Sequence, residues 1–532
     1  MGIDWQDVVH AARISARLLF GRVKTRPASS AFLPLVLPLV VLLALSRANA
    51  ADHFLTIGGG DSPSYNQVSL EKNVLFYQRL VRDLEGPQIE HDVYFADGLA
   101  GSRDVQYVAA DQVPRVNLLL ARLFNQEEGV DIRYRPHQIP NVRGSSTRRS
   151  LENWFDTTGT RLRDGDRLFI YFTGHGGPGN PPRNTTISLW NERVMSVGEF
   201  SQLLDKISPS VKVVLIMVQC HSGGFADVIF NSGRAGARLS NARRCGFFAT
   251  VPERNAAGCT ADTSEDDYKD YSTYFFAALG GKTRTGQAVK PFDYDRDGRI
   301  SLAEAHAYTV LNEETIDIPL ATSDVFLRQF SKLRGNGLLG VESPLDSLLE
   351  HASPTQRAIV EGLAQQLNLR GGAEVASARQ LADKINNDKK DSEKQRTQRW
   401  NEADNIAKGI TRRLARRWPE LTSPWNPQVP QTLKEQGAEI QKAIESDRSF
   451  MRFQRAYDQF QAATDKDLTL EHQWAKTQRF LYTVESVALA ANLEQVAAPP
   501  IVARYKQMLG DEASTFPEAP DTSSERTSEV RQ

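Results

Sequence analysis

The chain of 532 residues has three cysteines, nine histidines and five methionines. So few cysteines cannot staple a fold of this size, so stability has to come from apolar cores, of which the length allows two or three. Charge of one sign is also lacking: 64 basic residues face 65 acidic ones, a formal net charge of −1. That balance leaves no electrostatic footprint for nucleic acid, and no nucleic-acid partner is expected. Long apolar runs are scarce as well. The longest, "AFLPLVLPLVVLLAL" at 31–45, holds Pro34 and Pro38 and falls short of the roughly 20 residues that span a bilayer.

What surrounds that run gives it another meaning. Arg13, Arg17, Arg22, Lys24 and Arg26 precede it, and "SRANA" follows with Ala48 and Ala50 spaced as at a cleavage site. Residues 1–50 thus carry the parts of an export signal, with an N-terminal membrane anchor as the alternative. The expected location is secreted or periplasmic, with membrane contact only if the segment stays uncleaved. In an oxidising compartment Cys245 and Cys259 can pair across "CGFFATVPERNAAGC", leaving Cys220 as the odd thiol.

Beyond residue 50 apolar strands alternate with amphipathic helices. "HFLTIGGG" (53–60), "HDVYFAD" (91–97), "DRLFIYFTG" (166–174), "KVVLIMVQ" (212–219) and "GFFATV" (246–251) have strand patterns. Helices are expected at 70–84, 146–159 and 196–207, the last opened by a Ser196/Glu199 capping box. The alternation predicts an α/β domain over 51–338 with a mostly parallel sheet flanked by helices. From 345 to 512 no strand pattern appears. Trp400, Ala403, Ala407, Ile410, Leu414 and Trp418 form one helical stripe, and Phe450, Phe453, Tyr457 and Phe460 another, as in an all-α domain. Residues 513–532 are polar and are expected to be a disordered tail.

Two of the strands end in reactive chemistry. "LFIYFTGHGGPG" leads to His175 and Gly176, and "VVLIMVQCHSGG" to Cys220 and two glycines. One helix between them makes a right-handed βαβ unit, so the strands lie side by side and both carboxyl ends open on one crevice. A thiol and an imidazole there suit nucleophilic catalysis on a carbonyl carbon. A glycine after the histidine lets backbone N–H groups approach an oxyanion. A buried, inert cysteine is the plain alternative for Cys220. His221 adjoins the thiol too closely in sequence to serve the same substrate.

These motifs resemble those of the caspase-like cysteine peptidases, most closely the legumain-like branch, over residues 53–335. The resemblance implies that Cys220 is the nucleophile and His175 the base and acid. The N–H groups of Gly176 and Cys220 would form the oxyanion hole. It also implies protein or peptide substrates, and a helical C-terminal domain able to inhibit the catalytic one intramolecularly. One departure stands out. Where relatives often carry an acid or glutamine two positions before the cysteine, this chain has Val218, so no acidic selectivity pocket carries over. The function expected is that of an exported cysteine endopeptidase acting through a thioester. The alternatives are a transpeptidase or transamidase using the same dyad, and a catalytically silent platform for a helical binding module.

"DYDRDGRISLAE" (293–304) matches the twelve-residue EF-hand calcium loop. Asp293, Asp295 and Asp297 stand at positions 1, 3 and 5, Gly298 at the turn, and the Arg299 carbonyl at 7. Glu304 closes the loop at 12. A helix start capped by Ser301 and Glu304 is the competing explanation, but it accounts for neither the three aspartates nor the glycine. Structural calcium is the one cofactor expected, with no organic cofactor.

Overall fold

Two nearly unbroken apolar runs set the middle of the molecule. In the computed structural model, all eight residues of Arg167–Gly174 are buried, as are five of six in Lys212–Met217. Strands this apolar must be covered on both faces, which requires helices above and below a parallel sheet. The structure describes residues 50–517 except 109–112, 128–129, 131, 291 and 424–425. The expected export signal, save residue 50, and most of the expected polar tail lie outside the described residues.

In chain order the first half contains β1 (Asp52–Gly59), α1 (Val68–Glu85), β2 (His91–Phe95), β3 (Val105–Val108), α2 (Arg115–Phe124), β4 (Ile132–Arg135), β5 (Val142–Gly144), α3 (Arg148–Thr157), β6 (Arg167–Gly174), β7 (Gly176–Gly177), β8 (Thr186–Leu189), β9 (Arg193–Ser196), α4 (Val197–Leu204), β10 (Lys212–Met217) and β11 (Arg244–Phe248). There follow α5 (Tyr271–Gly280), α6 (Leu302–Asn312), β12 (Leu320–Ala321), α7 (Thr322–Phe330), α8 (Leu345–Leu349), α9 (Pro354–Gln366), α10 (Glu374–Ala415), α11 (Val429–Glu445), α12 (Phe450–Val496) and α13 (Pro499–Glu512). Seven strands make the central sheet in the order β12-β11-β10-β6-β1-β2-β5. All its pairings are parallel except that of the short β12 on β11.

The expected α/β architecture with a following all-helical region is therefore present, and β6 and β10 are neighbours. The capping box opening α4 forms as its sequence implies: Ser196 Oγ accepts the Glu199 N–H and Glu199 returns the bond to Ser196. Additional elements are the edge strands β5 and β12 of the central sheet, the antiparallel β3–β4 pair and the β7–β8–β9 sheet between β6 and α4. Their strands span two to four residues, too few to show a periodicity.

The helical region does not stand apart. Leu489 and Leu493 of α12 and Tyr505 and Met508 of α13 belong to the same apolar cluster as the central sheet. Val116, Leu119, Leu120 and Leu123 of α2 pack in turn with Ala403, Ala407, Ile410 and Leu414 of α10 and Phe450, Phe453 and Tyr457 of α12. Both expected stripes are thus core seams, and both are completed by the same α/β-domain helix, α2. The start of the expected disordered tail is also anchored. Phe516 packs on Phe54 and Phe169, and the Thr515 carbonyl accepts from Arg167 Nη1 at 3.0 Å.

The pairing of Cys245 with Cys259 does not occur. Cys245 is fully buried inside β11 opposite Val214, well back along the strand, while Cys259 is exposed on the loop beyond its carboxyl end. A core strand residue cannot reach that loop without leaving the sheet.

Candidate active site

Register alone brings the two reactive residues together. Phe172 of β6 is the partner of Met217 of β10, and the Val218 N–H extends the ladder to the Phe172 carbonyl at 3.2 Å. His175 lies three residues past Phe172 and Cys220 three past Met217, so both leave the sheet at the same level on adjacent strands. The backbones there are in close contact. A Cβ placed on Gly176 would sit 2.4 Å from the Cys220 carbonyl oxygen and 2.4 Å from Gln219 Cγ, so only glycine fits. Both His175 and Cys220 are half-buried.

The imidazole is held from outside the sheet. After β1, "GGGDSPSYNQ" folds over the strand end, and His175 Nε2 lies 2.8 Å from the Tyr65 carbonyl and 2.9 Å from Gln67 Oε1. Both partners are acceptors, so Nε2 carries the proton and Nδ1 is left with the lone pair. Burial lowers the His175 pKa, the Tyr65 carbonyl and Asp61 opposing, so the neutral ring is favoured. The loop itself is stapled by the buried Asn66. Its Oδ1 accepts the Gly60 N–H at 3.0 Å and its Nδ2 donates to the Asp104 carbonyl at 2.9 Å.

The thiol is enclosed on its other side by the loop after β11. Cys220 Sγ accepts the Ala256 N–H at 3.4 Å, and the next amide, Ala257, donates to Asp317 Oδ1 at 2.7 Å. Burial pushes the thiol pKa up, the Ala256 amide pulls it down and Asp317 adds to the rise, so the resting group is a thiol. The rest of "CHSGG" fits the same loop. His221 has a left-handed φ of 60°, which turns its ring to the Pro252 carbonyl at 2.7 Å and away from the thiol. Ser222 Oγ accepts the Thr250 N–H, and the Gly223 N–H donates to the Thr250 carbonyl. His221 is accordingly a loop fastener.

Behind this loop stands helix α12. Arg479, 1% exposed, donates Nε to the Asp317 carbonyl at 2.8 Å, Nη1 to the Glu313 carbonyl at 2.7 Å and Nη2 to the Thr315 carbonyl at 3.0 Å. The Arg254 guanidinium pairs with Glu471 and lies 4.7 Å from the centre of the Trp474 ring. The Arg254 carbonyl in turn accepts the His221 N–H at 2.8 Å. Tyr65, Asn66, Gln67, Asp317 and Arg479 carry no motif around them, and sequence reasoning missed all five. They reach the site by tertiary contact.

The acidic loop at 293–304 adopts the turn its sequence demands, with Gly298 at φ +86°. Donor atoms of Asp293, Asp295 and Glu304 lie within 4.8 Å of one another. Asp297 stays outside that group, its Oδ1 accepting the Arg299 N–H at 2.8 Å. Glu304 is 1% exposed and forms the capping box of α6 with Ser301. The Arg299 side chain bonds Thr515 and Pro517, and Ser301 bridges Thr515, so residues 515–517 pair with this loop.

Among the described residues no helix is long and apolar enough to cross a membrane. A comparison with curated proteins gives no match. Among solved structures, a Geobacter sulfurreducens protein aligns at 11% identity and a TM-score of 0.27 over 43% of this chain and 81% of its own, a likeness too slight to carry an argument. Residues 128–273, which hold both His175 and Cys220, match the Peptidase C13 family. Over that segment the chain is similar to the legumain-like cysteine peptidases of the caspase clan.

Proposed function

We propose that the protein is an exported endopeptidase that hydrolyses peptide bonds through Cys220 and His175. The observation that supports this most is the shared register of the two residues at the carboxyl ends of β6 and β10, with Gly176 against the Cys220 carbonyl. In the proposed reaction His175 Nδ1 takes the thiol proton as Sγ attacks the scissile carbonyl carbon. The N–H groups of Cys220 and Gly176 donate to the oxyanion, and collapse of the tetrahedral adduct expels the amine with the proton from Nδ1. Water, deprotonated by the same nitrogen, then cleaves the thioester and regenerates the thiol. Nε2 stays bonded to Tyr65 and Gln67 throughout, which keeps the ring oriented. Incubation with a protein substrate and an added amine tests the reading by product mass. Free carboxyl ends inside the substrate sequence are expected, all lost in Cys220→Ala, and amine adducts as the main product would overturn hydrolysis.

The 293–304 loop is proposed to bind calcium through Asp293, Asp295, Asp297, the Arg299 carbonyl and Glu304, as a structural brace. The converging oxygens of Asp293, Asp295 and Glu304 support this, and Asp297 would have to turn from the Arg299 amide to join. The C-terminal helices are proposed to restrain the site intramolecularly through the Glu471–Arg254 contact. Glu471→Ala is then expected to raise peptidase activity, and unchanged or lower activity rejects restraint. Cutting the chain near 340 would be a poor test, because α12 and α13 cover the sheet.

A further inference from the structure

Three side chains beside the 58–67 loop that holds His175 each keep one polar atom buried and unused. They are Asp97 just after β2, Asp104 just before β3, and His137 just after β4. Asp104 is 0% exposed and its Oδ2 has no hydrogen-bond partner; Asp97 Oδ1 and His137 Nδ1 are likewise buried without one. Donor atoms of the three lie within 4.8 Å of one another. A buried carboxylate oxygen lacking a donor is costly, and burying two carboxylates together compounds the cost.

The other atom of each side chain is already engaged. Asp97 Oδ2 accepts the Ser102 amide at 3.1 Å and the Ser102 hydroxyl. Asp104 Oδ1 accepts the His137 N–H at 2.9 Å. His137 Nε2 lies 2.8 Å from the Gly98 carbonyl and must donate to it, so the tautomer leaves a lone pair on Nδ1. An imidazolium would instead spend an Nδ1 proton on one of the carboxylates, and no such bond exists. The Arg135 guanidinium interacts with the Asp104 charge but spends its hydrogen bonds on Glu71 at 2.9 and 2.6 Å, which leaves Asp104 Oδ2 without a donor. Outer partners that fix ligand tautomer and orientation in this way are a hallmark of metal sites.

We propose that Asp97, Asp104 and His137 form a binding site for a divalent transition metal ion, with zinc as the reference ion. One imidazole nitrogen and two carboxylate oxygens suit such an ion, and donor atoms within 4.8 Å of one another need only draw together around it for each to reach a metal–ligand distance near 2.0–2.2 Å. Asp97 and His137 are half-exposed, which leaves room for a water as fourth ligand. The ion would brace the catalytic loop, because the Asp104 carbonyl accepts from Asn66, and Asn66 lies between Tyr65 and Gln67, which hold His175.

The test is a calorimetric zinc titration of the full chain with its accessible thiols alkylated and calcium in excess, so that neither Cys220 nor the 293–304 loop takes up zinc. One zinc per chain is expected, with affinity falling at least about tenfold in Asp104→Asn and in His137→Ala. Asp97→Asn preserves shape and is expected to lose a similar factor, which keeps the test open if His137→Ala fails to fold. Absence of zinc binding, or binding that these substitutions leave unchanged, overturns the proposal.

Discussion

The His175 imidazole lies 2.8 Å from the main-chain carbonyl of Tyr65 and gives it the Nε2 proton. A carbonyl cannot be removed by mutation, but the second acceptor, Gln67 Oε1 at 2.9 Å, can. Gln67→Leu is expected to lower kcat roughly tenfold with little change in KM, about the worth of one hydrogen bond in ring orientation. Gln67→Glu places a negative charge beside Nε2, favours the imidazolium and should move the acid limb of kcat/KM to higher pH. A pH profile identical to that of the wild type in Gln67→Glu would refute the contact.

The protonation states carry their own expectation. Burial lowers the His175 pKa and raises that of Cys220, so the resting pair is imidazole and thiol, not imidazolium and thiolate. The base is lost only as pH falls through the lowered histidine value, which puts the acid limb of kcat/KM below about pH 6.5. Iodoacetamide should alkylate Cys220 in the free enzyme with a midpoint above about pH 8.5. A midpoint at or below neutrality would show a preformed ion pair and reject this assignment.

Arg479 reaches from α12 into the loop that abuts the thiol and satisfies the carbonyls of Glu313, Thr315 and Asp317. Arg479→Met keeps most of the packing but orphans those carbonyls and leaves the buried Glu313 carboxyl without its cation 3.2 Å away. The expected loss is about 3–5 kcal/mol in urea unfolding. The remaining folded enzyme should also show a higher KM, because Asp317 positions Ala257 next to the Cys220 contact. A loss under about 1 kcal/mol would mean the clamp is dispensable.

Calcium should stabilise the chain through the 293–304 loop. Adding millimolar calcium to chelator-treated protein is expected to raise Tm, by linkage to a site filled only in the folded state. In Asp295→Asn most of that shift should vanish. Because Thr515 pairs with Ser301, calcium should also slow proteolysis near residues 513–517. Equal Tm values with calcium and with chelator would argue for the capping role of Glu304 alone.

Five of the seven strands of the central sheet (β1, β2, β6, β10 and β11), the helices flanking them and the two strand-end residues were legible because they leave periodic or chemical signatures within a few neighbours. The β6 and β10 runs are apolar enough to imply cover on both faces, and the glycines after His175 and Cys220 mark close approach. Tyr65 acts through a main-chain carbonyl, which any residue type supplies, so its identity holds no clue. Asp97, Asp104 and His137 are separated in the chain by β3, α2, β4 and the loops between them, with no spacing that marks ligands. The pairing of Cys245 with Cys259 failed because cysteine arithmetic is blind to depth, and Cys245 is a strand residue in the core.

By itself the sequence determined which residues meet at the sheet edge. Register follows from hydrophobic runs of matched length, and equal offsets from Phe172 and Met217 then place His175 beside Cys220. It also determined the turn at Gly298 and the capped helix starts, which depend on neighbours within one turn. Only the tertiary structure decided how that chemistry is held. The Tyr65 carbonyl, the Asn66 staple, the Asp317–Ala257 contact and the Arg479 clamp all join segments far apart in the chain. Such contacts are set by the packing of whole helices on the sheet, which local patterns do not encode.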